Sequence, residues 1–195
     1  MHGLINRSIQ CFLRDTYGPV VWRDIARSAA FEAENFEALL QYDNDITDKI
    51  LNASGAKLGK ALPVILEDLG TYLISNPNVS ALRRLLRFGG TGFTDFLHSL
   101  DDLQGRAKLA VPELEMPTLT LRDHGPGHFT LYCNEIYPGT GFVMVGILRA
   151  MADDYGALVL LDHMGAKAAV STIAVQVLDA DFTSGREFSL VTGAA

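Results

Sequence analysis

Two side chains in the segment FLHSLDDLQGRAKLAVPELEMP, residues 96–117, could contact a ligand, namely His98 and Gln104. An imidazole ligates metals and exchanges protons near neutral pH, whereas a carboxamide is neutral and only donates and accepts hydrogen bonds. The apolar period of the segment predicts one long helix that runs toward Pro117. The angular positions of the two side chains on that helix decide which of them can face a pocket.

Gln104 lies in the middle of an apolar stripe, because Leu97, Leu100, Gln104 and Ala107 recur at helical spacing. His98 is turned away from Gln104 by about 120°, since six residues at about 100° each come round to about 240°. Its helical neighbours are mostly acidic, so we expect a solvated histidine. A carboxamide on a core-facing stripe must pair with a protein group, a water or a bound molecule. Gln104 is therefore either a satisfied core glutamine or the side chain that faces a ligand.

The remaining candidate ligands are few. Cys11 and Cys133 are the only cysteines, and no CxxC pair is present. If Tyr132 points toward a pocket, Cys133 points to the opposite face of its strand, and thiolate ligation is the minor alternative. HGPGH at 124–128 is typical of a hairpin connection, with a surface metal as the alternative. We find no serine, histidine and acid set, no paired carboxylates and no HExxH, so the sequence predicts no enzyme.

Composition excludes several classes of protein. The chain has 195 residues, 48% of them hydrophobic, and a formal charge of -7. Its basic residues form no long run, so a nucleic-acid surface is not expected. No apolar stretch approaches the roughly 18 residues that span a bilayer, and the start of the chain lacks a continuous apolar signal core. We therefore expect a cytoplasmic protein without a membrane span, folded as one domain over residues 1–195.

The elements that must position these residues change type along the chain. Helical patterns fill the first half, at 2–17, 20–30, 44–53, 60–75 and 78–88. After Met116 and Pro117 the apolar period falls to two in four strand-like segments, and a helix ending near Gly156 separates the second from the third. Each GTGF copy, at 90–93 and 139–142, precedes a helix, with Thr91 and Thr140 as predicted N-caps. The order predicts an α+β fold with a mostly antiparallel sheet, divided into about 1–65 and about 66–195.

Several of these motifs together resemble one known family. They are MHGLINRSIQCFLRDTYG at the start, GFTDFLHSLDDLQGR in the long helix, the MP pair that ends thirteen residues after Gln104, and the LY of the second strand. In that order they resemble the H-NOX family of heme nitric oxide/oxygen binding domains. The resemblance implies a helical part and a sheet that hold a b-type heme. In the family, a histidine of the long helix ligates the iron, a proline contacts the porphyrin, and a Tyr-x-Ser-x-Arg motif binds the propionates.

The resemblance assigns roles to five positions of this sequence. Pro117 matches the proline and Tyr132 the motif tyrosine, whereas Gln104 stands at the position of the iron ligand. Asn134 stands in place of the motif serine, and Ile136 in place of the arginine. A neutral amide ligates heme iron far more weakly than imidazole. Isoleucine cannot supply the planar, charged fork that binds a carboxylate.

The sequence therefore favours a non-enzymatic H-NOX-like sensor or signalling module whose heme-binding determinants have degenerated. The pocket would hold another small apolar ligand or would have filled with side chains. The resemblance implies a separate partner, such as a histidine kinase or a cyclic-nucleotide signalling enzyme, and no nucleic acid. The alternative is a true heme-binding nitric oxide sensor with an unusual or absent proximal ligand, which Pro117 and Tyr132 support.

Overall fold

The computed structural model of the protein describes residues 1–33, 35–77, 80–110 and 115–186, without the side chains of residues 80, 81 and 110. The chain divides into two compact units, Met1–Leu69 and Gly70–Ala195. Each unit is described by itself. The predicted site residues all belong to the second unit.

Helices make up the regular structure of the first unit. They are α1 (Gly3–Tyr17), α2 (Pro19–Ser28), α3 (Asn44–Leu58) and the start of α4 (Leu62–Ser75). Gly18 ends α1 at a φ of 92°, a conformation that a side chain would disfavour. Pro19 then opens α2 at a first-turn position, where its missing N–H leaves no bond unmade. The predicted helical first half is confirmed.

The long helix predicted over the segment around Gln104 is interrupted. It consists of α6 (Phe93–His98), a 3-10 turn (Ser99–Asp102) and α7 (Leu103–Ala110), and α5 (Ser80–Arg87) precedes it. The Ser99 hydroxyl donates to the Phe96 carbonyl at 2.7 Å, and Asp101 Oδ1 accepts from the Leu121 amide at 2.8 Å. The Ser99 bond occupies a helical carbonyl, and the Asp101 bond attaches the turn to a distant part of the chain. The prediction of one continuous helix was wrong at this turn.

Four antiparallel strands form the sheet of the second unit, and their order is β1-β2-β4-β3. They are β1 (Thr118–Asp123), β2 (His128–Asn134), β3 (Leu158–Lys167) and β4 (Val170–Asp179), and α8 (Thr140–Tyr155) lies between β2 and β3 in the chain. The predicted α+β class, with a β-β-α-β-β second part, is confirmed.

One face of the sheet supplies the hydrophobic core of this unit. Leu131, Cys133 and Ile173 are fully buried there, in a cluster with Phe96 of α6 and Leu148 of α8. Alternate residues of the same strands, such as Tyr132, point to the other face because successive side chains alternate along a strand. The core thus fixes which motif residues of β2 point away from α6 and α8.

The two predicted threonine N-caps were wrong by one residue. Gly92 caps α6 and Gly139 caps α8, the latter with a φ of 92°. Glycine reaches that left-handed conformation without a steric penalty, whereas threonine would not. Thr91 instead donates its hydroxyl to Asp95 Oδ2 at 3.0 Å, and Thr140 is the first residue of α8.

Candidate functional site

Gln104, at the start of α7, is hydrogen-bonded to the segment that precedes the first strand of the sheet. Its side chain is half-buried, and its Nε2 donates to the Met116 carbonyl at 3.1 Å. The predicted stripe neighbours Leu97, Leu100 and Ala107 are all buried. The carbonyl of Met116 can only accept, so the nitrogen of the carboxamide must face it and the oxygen Oε1 is turned elsewhere. Gln104 is thus satisfied on one side by main chain.

That hydrogen bond brings most of the predicted site to one end of the sheet. Met116 precedes Pro117, which is buried, and Pro117 precedes the first residue of β1, Thr118. Thr118 pairs with Asn134 at the end of β2. Gln104, Pro117 and Asn134 therefore gather around the start of β1.

The motif residues of β2 differ in their surroundings. Tyr132 is half-buried, and the Arg122 guanidinium lies 5.7 Å from the centre of its ring. Asn134 lies two residues further along the strand, on the same face, and is exposed. Ile136 lies beyond the strand end with 39% of its surface exposed. An exposed hydrocarbon at this position offers no hydrogen-bond donor to a ligand.

Cys133 lies on the face opposite to Tyr132 and is inaccessible. Its exposed fraction is 0%, and burial, assisted by the Glu135 carboxylate, raises the pKa of its thiol to about 12. The thiol is therefore protonated at neutral pH, whereas a metal ligand would have to be a thiolate.

Glu135 forms a partly buried contact that the sequence pattern did not predict. Its Oε1 accepts from the amide of Gly141 in the first turn of α8 at 3.1 Å and from the Ser171 hydroxyl at 2.7 Å. The Ser171 oxygen lies 3.0 Å from His163 Nε2, and the His163 ring stacks on Phe142 at 4.0 Å between centroids. A carboxylate at a helix N-terminus is favoured by the helix dipole. Glu135 thus anchors α8 to β4.

Gly141 was the one available signal for this cluster. A Cβ at Gly141 would collide with the Ser171 hydroxyl and would lie 2.8 Å from His163 Nε2. Glycine is therefore required for α8 to approach β4 this closely. Without a structure, nothing in the spacing of Glu135, His163 and Ser171 points to their meeting.

A surface groove of about 550 Å³ opens beside Gln104, and we call it the α5–α7 groove. Its lining includes Phe88, Asp101, Asp102, Gln104, Arg106 and Leu109. Large apolar side chains and charged groups therefore share one concavity. Gln104 is the one predicted site residue in this lining.

The histidines of the second unit have ordinary partners. His98 is exposed, packs edge-on against Phe129 and lies 3.8 Å from Asp123 Oδ2. His124 Nε2 lies 2.9 Å from the Thr130 hydroxyl, and His128 Nδ1 lies 2.9 Å from the Pro126 carbonyl. Within the described ranges, no three histidine, cysteine or acidic side chains gather as metal ligands. None of the helices in that part of the chain combines the length and apolar character that a membrane crossing needs.

The order of elements and the sheet topology define the α+β domain class that the motifs imply. The chain belongs to the Haem-NO-binding family, whose sequence profile matches residues 2–163. The recognised motifs and the family match agree over most of the chain.

The curated relatives are much longer proteins, and this chain matches only a part of each of them. Soluble guanylate cyclase 89Db of Drosophila melanogaster is 18% identical over 158 residues, which is 81% of this chain and 24% of the relative. Soluble guanylate cyclase gcy-31 of Caenorhabditis elegans is 21% identical over 154 residues, which is 79% of this chain and 22% of the relative. The chain thus spans about a quarter of the length of the relatives it matches.

Solved structures confirm the fold. A triple mutant of an H-NOX protein from S. oneidensis, in the Fe(II) ligation state, superposes with a TM-score of 0.78 at 16% identity, covering 93% of this chain and 98% of that one. A mutant of T. tengcongensis H-NOX superposes with a TM-score of 0.77 at 18% identity, covering 93% of this chain and 100% of that one.

Proposed function

We propose that this domain is a non-enzymatic H-NOX-type sensor module that does not hold heme through the conventional contacts. It transmits a signal to a separate partner, such as a histidine kinase or a cyclic-nucleotide enzyme. Membership of the family supports the sensor role, and the names of the curated relatives support a signalling enzyme as partner.

The observation that carries the proposal is the hydrogen bond of Gln104. At the position that the resemblance assigns to the iron ligand, the amide nitrogen donates to the Met116 carbonyl at 3.1 Å. An imidazole would present a lone pair to iron, whereas this side chain presents a neutral carboxamide that is already bonded to main chain. The donor set at this position does not fit axial ligation of heme.

The residues at the end of β2 that correspond to the Tyr-x-Ser-x-Arg motif, residues 132–136 (the β2 motif), support the same conclusion. Ile136 stands where the resemblance places an arginine, and its side chain has no donor for a propionate. Asn134 can donate a neutral hydrogen bond, but Glu135 beside it is a carboxylate whose Oε1 accepts from Gly141 and Ser171. The motif thus lacks the cation that a propionate would pair with.

The second candidate function is a heme-binding nitric oxide sensor, which the family match favours. When bound, heme would supply the iron that takes up nitric oxide. Pro117, which is buried, would contact the porphyrin and Tyr132 would donate to a propionate in that case. The two candidates differ in one measurable property, the affinity of the purified protein for hemin.

Hemin titration followed by absorption spectroscopy tests the proposal. We expect the wild type to show no stoichiometric Soret band. Gln104→His and Ile136→Arg should each raise hemin affinity by about tenfold, and together by about 100-fold, because each restores a separate contact of about 1.5 kcal/mol or more. Gln176→His and Leu178→Arg place the same residue types elsewhere on the sheet and serve as controls.

Two outcomes would contradict the proposal. A one-to-one wild-type complex with the spectrum of a five-coordinate histidine-ligated heme would establish the second candidate. A double variant that folds as the wild type does, yet binds hemin no better than the two controls, would show that these positions do not govern heme binding.

A further inference from the structure

Two large apolar side chains line the α5–α7 groove while remaining open to solvent. Phe88 and Leu109 have exposed fractions of 65% and 88%. Phe88 lies in the turn after α5 and Leu109 lies on α7, so they come from different segments of the chain. A single exposed apolar side chain is ordinary, but two that line one concavity mark a contact surface.

The charge that this groove presents to solvent is negative. Asp101 and Asp102 are both exposed and line it. Arg106 also lines it and donates to the Ser99 carbonyl at 2.8 Å and to the Leu85 carbonyl at 3.3 Å, so two carboxylates face one guanidinium. In the described part of the chain, Asp102 has no hydrogen bond or ion pair. The groove therefore complements a cation rather than an anion.

We propose that the α5–α7 groove is the docking site for a basic, amphipathic helical segment of the separate partner protein. The apolar face of that segment packs on Phe88 and Leu109, and its lysines or arginines pair with Asp101 and Asp102. Amphipathic helices bind hydrophobic grooves in this way, through apolar anchors spaced along one face. The inference rests on the proposed function, because it names the chemistry of the partner that the sensor requires.

Gln104 adds a polar contact to the lining of the same groove. Its Nε2 is engaged by the Met116 carbonyl, and its Oε1 has no hydrogen-bond partner in the described part of the chain. That oxygen is an acceptor for a donor on the docked segment. Gln104 would thus contact the partner.

Fluorescence anisotropy with two synthetic peptides tests the inference. The first peptide is an amphipathic helix with leucines at i, i+3, i+4 and i+7 and lysines on the flanks of that face. The second replaces every lysine with glutamate. We expect the lysine peptide to bind with an affinity that falls as salt is added, and the glutamate peptide not to bind.

Matched variants separate docking in the groove from general attraction to an acidic protein. Asp101→Asn/Asp102→Asn should weaken binding by about tenfold, whereas Asp179→Asn/Asp181→Asn removes the same charge elsewhere and should not. An asparagine in place of Asp101 still has a side-chain oxygen that can accept from the Leu121 amide, so the fold is retained.

The apolar anchors have their own control. Phe88→Ala should weaken binding by about tenfold or more, because buried aromatic anchors dominate interface energetics. Phe182, with 57% of its surface exposed, provides the matched Phe182→Ala control. Circular dichroism melting curves confirm that each variant is folded.

Three results would overturn the inference. They are equal binding of both peptides, equal effects of the groove variants and their controls, and failure of the lysine peptide to bind. Sedimentation showing a dimer that Phe88→Ala dissolves would assign the surface to a second copy of this chain instead. The hemin titration addresses Gln104 and Ile136 through the Soret band, so failure there and failure of peptide binding are separate results.

Discussion

A buried carboxylate joins α5 to α8, and its removal should destabilise the second unit strongly. Asp154 is 1% exposed, and Arg83 contacts both of its oxygens, with the shortest distance 2.7 Å. Arg87 Nε lies 3.7 Å from Asp154 Oδ2, and its guanidinium lies 4.0 Å from the centre of the Tyr155 ring. One carboxylate thus pairs with two cations that are largely enclosed.

The expected loss of stability can be estimated from the burial of the Asp154 ion pair. Removing one partner of a buried ion pair costs about 3–5 kcal/mol, because it leaves a charge without compensation. The Arg83 side chain keeps 24% of its surface exposed and regains some hydration, which places Asp154→Ala near the lower end, at about 3 kcal/mol. For a chain of this length each 1 kcal/mol lowers the Tm by roughly 2–4 °C, so a drop of roughly 6–12 °C is expected.

Urea and thermal unfolding followed by circular dichroism measure this effect. Asp153→Ala is the matched control, since Asp153 is the adjacent exposed carboxylate and its loss should change stability by less than about 0.5 kcal/mol. A loss of unfolding free energy below about 1 kcal/mol for Asp154→Ala, or a loss equal to that of the control, would refute the view that the Arg83–Asp154 ion pair stabilises this unit strongly.

Two further predictions follow from the residues around β2. Because the pKa of Cys133 is raised to about 12, its thiol should stay protonated and unreactive toward an aromatic disulfide reagent at pH 8, and should react fully only in denaturant or above about pH 12. Half-buried Cys11 should react in the folded protein, and two fast-reacting thiols would contradict the prediction. Glu135→Gln should lower the free energy of unfolding by about 1–2 kcal/mol, because it removes a charge-assisted bond to the Gly141 amide and the Ser171 hydroxyl. Exposed Glu37→Gln is its control, and equal effects would contradict the role of Glu135.

The architecture could be predicted because it rests on local pattern. The change of apolar period after Pro117 marked the change from helices to strands, and the strand count and the position of α8 followed. Gly18 and Pro19 marked the first helix boundary through their own backbone restrictions. Such signals lie within a few residues of the feature that they determine.

What the sequence could not predict depends on contacts between distant residues. The break between α6 and α7 is accompanied by the bond of Asp101 to Leu121, twenty positions further along the chain. The Glu135 and Ser171 bond joins residues 36 positions apart. No rule of residue spacing predicts either of these two hydrogen bonds. The helical wheel placed Gln104 beside buried neighbours, but only the structure shows that its amide bonds to Met116 and that it lines a surface groove.

The α5–α7 groove and the β2 motif share the strand β1 as their connection. Asp101 accepts from Leu121 of β1, and Gln104 donates to Met116 just before β1, so two groove residues hold that strand by side-chain bonds. β1 in turn pairs with β2 from Thr118 opposite Asn134 to Asp123 opposite Phe129. The Leu121 amide donates to Oδ1 of Asp101, so a cation on a docked segment would pair with a carboxylate that also holds β1. The groove and the β2 residues Tyr132 and Asn134 are therefore both connected to one strand, β1, by hydrogen bonds.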